Sequence, residues 1–88
     1  MKHAGPAAFV ALEDVLGRLR QLPALREKSR GVFYRKSRAF LHFHEHCDYL
    51  YADVRQADGE YLRLCVTSAD EQTRFEQAVA ELLGPPPI

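Results

Sequence analysis

Cysteine is scarce in this sequence, and the spacing of the two cysteines matches no motif in which two thiols act as a pair. The 88 residues contain Cys47 and Cys65, and no tryptophan. Because the two cysteines form no CxxC motif, neither a redox pair nor a zinc knuckle is predicted. We expect both thiols to stay reduced, as is usual inside the cell.

Long apolar runs and a signal sequence are also missing. No apolar stretch approaches the roughly 20 residues that a membrane-spanning helix needs. The N-terminal region has one lysine and a short apolar stretch that ends at Glu13 and Asp14, which is not typical of a secretory signal. We therefore expect a cytoplasmic protein with no membrane partner. The length predicts one domain, residues 1–88, with loose termini at 1–6 and 84–88.

Net charge is zero, but the two halves of the chain carry opposite charge. Residues 1–40 contain nine Lys or Arg and three Asp or Glu, whereas residues 41–88 contain three and nine. Such asymmetry can mark an anionic partner, or it can be neutralised when the halves pack together. No known nucleic-acid-binding motif is present. Six basic side chains are nevertheless candidates for phosphate contact, next to aromatic rings that could stack on bases: Arg26, Lys28, Arg30, Arg35, Lys36 and Arg38.

Two segments have the periodicity of amphipathic helices. Apolar side chains at steps of three and four predict one helix from Ala7 to Leu22, where Pro23 ends it. A second helix follows Ser68 and Glu71, which fit a capping box. Gly84 and the three prolines after it end this helix. The two apolar stripes are Phe9, Leu12, Val15, Leu16, Leu19 and Leu22, and Phe75, Ala78, Val79, Leu82 and Leu83.

Between these helices the period changes to two. The alternation predicts four strands, at 32–36, 39–45, 49–55 and 60–66, after a polar connection at 24–31. Short connections favour an antiparallel meander in chain order. The predicted fold class is α+β, a two-layer α-β-β-β-β-α sandwich with both helices on one face. Phe33 and the pair Val32 and Tyr34 compete for the inner face, which otherwise contains Leu41, Phe43, Leu50, Ala52, Val54, Leu62, Leu64 and Val66.

The opposite face of this sheet is rich in aromatic and ionisable side chains. Cross-strand pairs among them could simply stabilise the sheet. They could also bind another protein, a second copy of the chain or a small ligand. Alternation places Phe40, Arg55 and Cys65 there, with seven candidate binding residues: His42, His44, Tyr49, Tyr51, Asp53, Tyr61 and Arg63.

His42 and His44 share this face and could bind one metal ion, with His46 or Cys47 as a source of a third ligand. No further ligand pair stands at a suitable spacing, so we predict no metal site and no cofactor. A thiol nucleophile at Cys65 would need a histidine base beside it, but one strand separates them. We therefore predict no catalytic residue.

The stretch from Gly31 to Leu83 also has a recognisable order of elements. The segment 33–43, with its Ala39-Phe40-Leu41-His42-Phe43 strand, followed by 50–55, resembles small uncharacterised bacterial proteins of the MmcQ/YjbR-like group. This resemblance implies a frataxin-like α+β architecture, and DNA binding has been suggested for members of the group. It transfers no functional residue to this chain.

These observations predict a non-enzymatic binding or interaction domain that uses the outer face of the sheet. The alternative is a nucleic-acid-binding module that uses the basic segment 26–38. A small metal-binding protein or thiol enzyme ranks below both.

Overall fold

Residues 1–84 are described by a computed structural model with six strands and three helices. The predicted fold class, α+β with an antiparallel sheet, is confirmed, but the predicted number of four strands and two helices is wrong. The elements are β1 (Lys2–His3), α1 (Pro6–Ala11), α2 (Glu13–Arg20), β2 (Arg26–Ser29), β3 (Val32–Arg35), β4 (Arg38–His46), β5 (Tyr49–Arg55), β6 (Tyr61–Cys65) and α3 (Ala69–Leu83).

The sheet is antiparallel in the order β2-β3-β4-β5-β6, and β1 pairs with β4. The predicted meander is therefore confirmed for β3 to β6. β4 has nine residues and β3 has four, so β3 pairs with only part of β4 and β1 occupies the rest of that edge. His3 lies opposite His44, and the amide of Ala4 donates to the carbonyl of Phe43 at 3.2 Å. The predicted loose terminus at 1–6 is therefore wrong. β1 has only two residues, which are too few to show the alternation that identifies a strand.

The predicted polar connection at 24–31 contains β2, the edge strand beside β3. Its sequence, Arg-Glu-Lys-Ser, carries no apolar alternation, and charged edge strands of this kind discourage pairing with other chains. Glu27 fixes the strand in place. Its carboxylate accepts hydrogen bonds from Arg20 Nε at 2.6 Å and from the amide of Gly31 at 2.9 Å.

The first predicted helix is two helices, which meet at Leu12 (φ −99°, ψ 6°). Its apolar stripe continues across the break, so the side chain of Leu12 is fully buried. The second predicted helix is confirmed as α3. The Ser68 hydroxyl accepts from the amide of Glu71 at 3.1 Å, and Glu71 accepts from the amide of Ser68 at 2.9 Å. Residues 85–88, with the predicted proline stop and most of the loose C-terminus, lie outside the described residues.

The helices pack their stripes against one face of the sheet in a single hydrophobic core. Most of the predicted inner face is confirmed, and Phe33 occupies the inner position on β3. Leu50 and Leu64 are half-buried, and Leu62 is exposed because β6 is an edge strand. The core is built from Leu12, Val15, Leu16, Leu19, Leu25, Phe33, Phe40, Leu41, Phe43, Ala52, Val54, Val66, Phe75 and Val79.

Phe40 was predicted on the outer face, and this is wrong. Phe33 pairs with Leu41 and Tyr34 pairs with Ala39, so Phe40 is an extra residue in β4. Such a bulge interrupts the alternation and turns the side chain. Phe40 therefore joins the core, with 3% of its surface exposed.

Both cysteines are free thiols, with Cys47 exposed and Cys65 half-buried. None of the helices within residues 1–84 combines the length and the apolar character needed to cross a membrane.

We predict that Glu27→Gln lowers the free energy of unfolding at pH 7 by about 1 kcal/mol, because the charge-assisted bonds from Arg20 and from the Gly31 amide are weakened. The guanidinium of Arg20 is the main reason that the pKa of Glu27 lies below its ordinary value, and the Gly31 amide adds to this. A carboxyl group with a lowered pKa in the folded state stabilises above its unfolded pKa of about 4.3 and loses this effect as the pH falls. Urea unfolding should therefore show a difference that shrinks below about pH 4.

Glu81→Gln is the control, because this exposed side chain makes no ion pair among residues 1–84. A Glu27→Gln deficit that is the same at pH 7 and pH 3 would contradict the assigned role.

Candidate functional site

Three neighbouring strands bring a carboxylate between imidazole and guanidinium groups on the outer face. The β4–β5 register sets His42 opposite Asp53, and the β5–β6 register sets Asp53 opposite Arg63. Side chains of directly paired residues lie on the same face of an antiparallel sheet. His42, Asp53 and Arg63 therefore form one row on the face that the helices leave open.

Asp53 is the centre of this row. Its Oδ1 accepts a hydrogen bond from Arg63 Nε at 2.8 Å, and its Oδ2 accepts from Arg63 Nη2 at 2.9 Å. Among residues 1–84 it is the one charged residue that is buried, with 6% of its surface exposed. The bonds from Arg63 hold the pKa of Asp53 below its ordinary value, against the opposing effect of burial. Asp53 is therefore ionised at neutral pH.

His44 contacts the same carboxylate without a hydrogen bond to it. Its Nε2 lies 2.9 Å from Oδ2 of Asp53, but the N–H direction does not point at the oxygen. Both ring nitrogens of His44 are inaccessible to water and have no hydrogen-bond partner among the described residues. A buried polar atom without a partner costs about 1–3 kcal/mol, so a further polar contact at either nitrogen would stabilise this imidazole.

His42 completes the group from the other side. Its Nε2 lies 3.4 Å from Oδ2 of Asp53. Burial is the main reason that the pKa of His42 lies below its ordinary value; the nearby His44 adds to the effect and Asp53 opposes it. His42 is therefore neutral at pH 7, with one ring nitrogen free to act as an electron-pair donor.

His42, His44 and Asp53 can together act as metal ligands. One donor atom from each lies within 4.8 Å of the others. Two imidazole nitrogens and one carboxylate oxygen suit zinc and related divalent transition metals. The third donor is Asp53 from the neighbouring strand, and not His46 or Cys47, which are exposed at the turn.

Two aromatic rings shield this cluster. The ring of His3 stacks on His44, with centroids 5.0 Å apart and planes 27° apart. The ring of Tyr61 meets His42 edge-on at 5.3 Å. His3 was not among the predicted outer-face residues, because nothing in Lys2-His3-Ala4 indicates a strand that reaches the sheet.

The structure thus gathers five of the seven predicted outer-face residues: His42, His44, Asp53, Tyr61 and Arg63. Tyr51 is half-buried in the next row, between His44 and Cys65. Tyr49 is exposed at the far end of the sheet, opposite His46. Since Tyr51 separates Cys65 from His44, this histidine does not lie next to the thiol.

The six predicted basic residues do not form one uniform surface. Arg30 pairs with Glu13 at 3.3 Å and lies over the Phe9 ring, and Lys28 lies over the Tyr34 ring. Arg35 donates to the carbonyls of Leu82 and Leu83 at the end of α3. The other three make no ion pair among residues 1–84: Arg26, Lys36 and Arg38.

Comparison with known proteins finds no matching family model, and neither a curated protein nor a solved structure with significant similarity. The resemblance to the MmcQ/YjbR-like group therefore stays a prediction, and the function has to be argued from the geometry.

We predict that Asp53→Asn lowers the free energy of unfolding by about 1–2 kcal/mol, because it removes the acceptor of two charge-assisted bonds. Arg63→Met should also destabilise the fold, because it leaves the buried Asp53 carboxylate without its guanidinium partner. The double variant should lose less than the sum of the two. Urea unfolding of metal-free protein in the presence of a chelator measures all four proteins. Strictly additive losses would show that the two side chains do not stabilise each other.

Proposed function

We propose that this protein is a non-enzymatic binding domain whose outer sheet face holds a divalent transition-metal ion, with zinc as the first candidate. The observation that carries this proposal is the position of the His44 imidazole beside Asp53. Its buried Nε2 lies 2.9 Å from a carboxylate oxygen with no hydrogen bond between them. This distance also fits an ion pair of imidazole and carboxylate. Because Nε2 of His42 lies near the same oxygen, the three donor atoms can instead face one cation.

The donor distances support a zinc-sized ion. Zinc–nitrogen and zinc–oxygen bonds of about 2.0–2.2 Å in tetrahedral geometry place neighbouring donor atoms about 3.3–3.5 Å apart. The distances from Oδ2 of Asp53 to Nε2 of His44 and of His42 are 2.9 and 3.4 Å. All three donor atoms lie within 4.8 Å of one another, so the imidazole rings would have to turn to bring them to one ion.

Arg63 acts on the site through Asp53. Its two hydrogen bonds orient the carboxylate and keep it ionised, as the outer partners of metal ligands commonly do. Its positive charge also repels a cation. We therefore expect micromolar affinity, well below that of a structural zinc site.

The position of the cluster supports binding over catalysis. None of the three clefts described for residues 1–84 is lined by His42, His44 or Asp53. Substrate sites are usually concave and enclose much of their ligand. An open sheet face suits an ion, or an ion shared with a partner.

Calorimetric titration of zinc into reduced, chelator-treated protein tests the proposal. We expect one zinc per chain, and a rise in melting temperature of about 10 °C or more when free zinc is a hundredfold above Kd. His44→Asn, which removes the Nε2 donor, should abolish both effects. Circular dichroism of this variant without metal checks that it still folds.

His46→Asn is the matched control, because this exposed histidine belongs to the same strand and lies outside the donor set. It should bind zinc like the wild type. If the wild type does not bind zinc at micromolar concentration, or if His46→Asn or Cys47→Ser removes binding, the outer-face site is wrong.

A protein partner or a second copy of the chain is a further candidate occupant of this face. Tyr49 and Tyr61 stand at its margin with 55% and 43% of their surface exposed, and exposed aromatic residues are common in interfaces. Sedimentation analysis with and without zinc separates the cases, since a shared ion would give a zinc-dependent dimer.

A further inference from the structure

A second site stands apart from the metal cluster, where the β3–β4 turn meets the end of α3. A cleft of about 360 Å³ opens there, within the usual size range of small-ligand sites. We call it the basic cleft. Its principal lining residues are Arg35, Lys36, Arg38, Phe40, Arg55 and Leu82.

The basic cleft carries an excess of positive charge. Four cationic side chains line it, and no carboxylate of residues 1–84 does. The carbonyls of Leu82 and Leu83 compensate Arg35 in part. Elsewhere in residues 1–84, many basic side chains are matched, as Arg18 is by Glu76, Arg20 by Glu27 and Arg63 by Asp53. Lys36, Arg38 and Arg55 have no ion pair within the described residues.

The backbone brings two of these cations together at a cost. Arg35 and Arg38 are directly opposite each other across the β3–β4 pair, and like charges in that position destabilise a sheet. Between them, Lys36 and Ser37 form the turn with φ of 52° and 67°. These left-handed conformations cost L-residues about 1–2 kcal/mol each. An anion between the side chains would offset the repulsion.

The floor of the cleft is apolar. The bulge in β4 turns Phe40 inward, where its ring lies beneath the guanidinium of Arg35 at 5.7 Å. Leu82 adds an aliphatic surface from α3. A ligand that fits both features has a multiply charged anionic group and an apolar or aromatic body.

We propose that the basic cleft binds a small organic phosphate, with the phosphoryl group held by Arg38, Arg55 and Lys36 and the organic part lying against Leu82. Arginine forks match phosphate oxygens and give charge-assisted hydrogen bonds. Arg35 contributes charge, while its hydrogen bonds to Leu82 and Leu83 keep it in place. This site is independent of the metal proposal, because the two share no residue.

The test uses adenosine 5′-monophosphate as the probe, with inorganic phosphate and adenosine as the two halves of its chemistry. Calorimetry on metal-free protein at low salt should show binding of the monophosphate and at least about tenfold weaker binding of adenosine. Arg38→Gln and Arg55→Gln should each weaken binding about tenfold, since each removes charge-assisted bonds. Amide shifts in nuclear magnetic resonance spectra should concentrate at 36–40 and 55–57.

Arg74→Gln is the control, because Arg74 is an exposed arginine of α3 outside the cleft and should leave affinity unchanged. If neither the monophosphate nor inorganic phosphate binds at millimolar concentration, the proposal is overturned. Unchanged affinity in Arg38→Gln and Arg55→Gln overturns it as well.

A third experiment tests whether the protein binds nucleic acid. A single-stranded thymidine oligonucleotide, titrated at several salt concentrations, tests whether the basic residues track a phosphate backbone. If the oligonucleotide binds, the monophosphate does not, and Arg26→Gln and Lys28→Gln weaken binding, the small-ligand proposal is overturned in favour of a nucleic-acid surface along 26–38.

Discussion

The pairing of β4 with β5 is the constraint on which both faces of the sheet depend. Leu41 with Val54 and Phe43 with Ala52 point into the core, while His42 with Asp53 points outward between them. A shift of one residue would turn the carboxylate and imidazoles toward the helices, where they would lack partners. The register therefore persists even though its turn, Cys47-Asp48, has unfavourable left-handed conformations at both residues. The packing that builds the core also assembles the site.

The charged side chains of the sheet form two groups, one around a buried negative charge and one with an excess of positive charge. Around Asp53, one buried negative charge is shared by Arg63 and two imidazoles, and both ring nitrogens of His44 have no hydrogen bond among the described residues. Around the β3–β4 turn, four cationic side chains line one cleft, and no carboxylate of residues 1–84 lines it. The first group has the donor atoms that a cation would need, and the second has the charge that an anion would need.

Local patterns in the sequence predict much of this arrangement. The capping box at Ser68, the alternation of β5 and the predicted outer-face set all follow from residue spacing. Asp53 was not predicted as a metal ligand beside His42 and His44, because the predicted turn included His46. With a two-residue turn at Cys47-Asp48, His42 is paired with Asp53. β1, β2 and the bulge at Phe40 depend on pairing between strands, which alternation within one segment does not report.

X-ray diffraction at the zinc absorption edge, from crystals grown with zinc, would locate the ion on the protein. We predict one anomalous peak about 2.0–2.2 Å from Nε2 of His42, Nε2 of His44 and Oδ2 of Asp53, with Arg63 still bound to Oδ1. A peak at Cys47 and His46, or an outer face without zinc in crystals that bind it elsewhere, would contradict it.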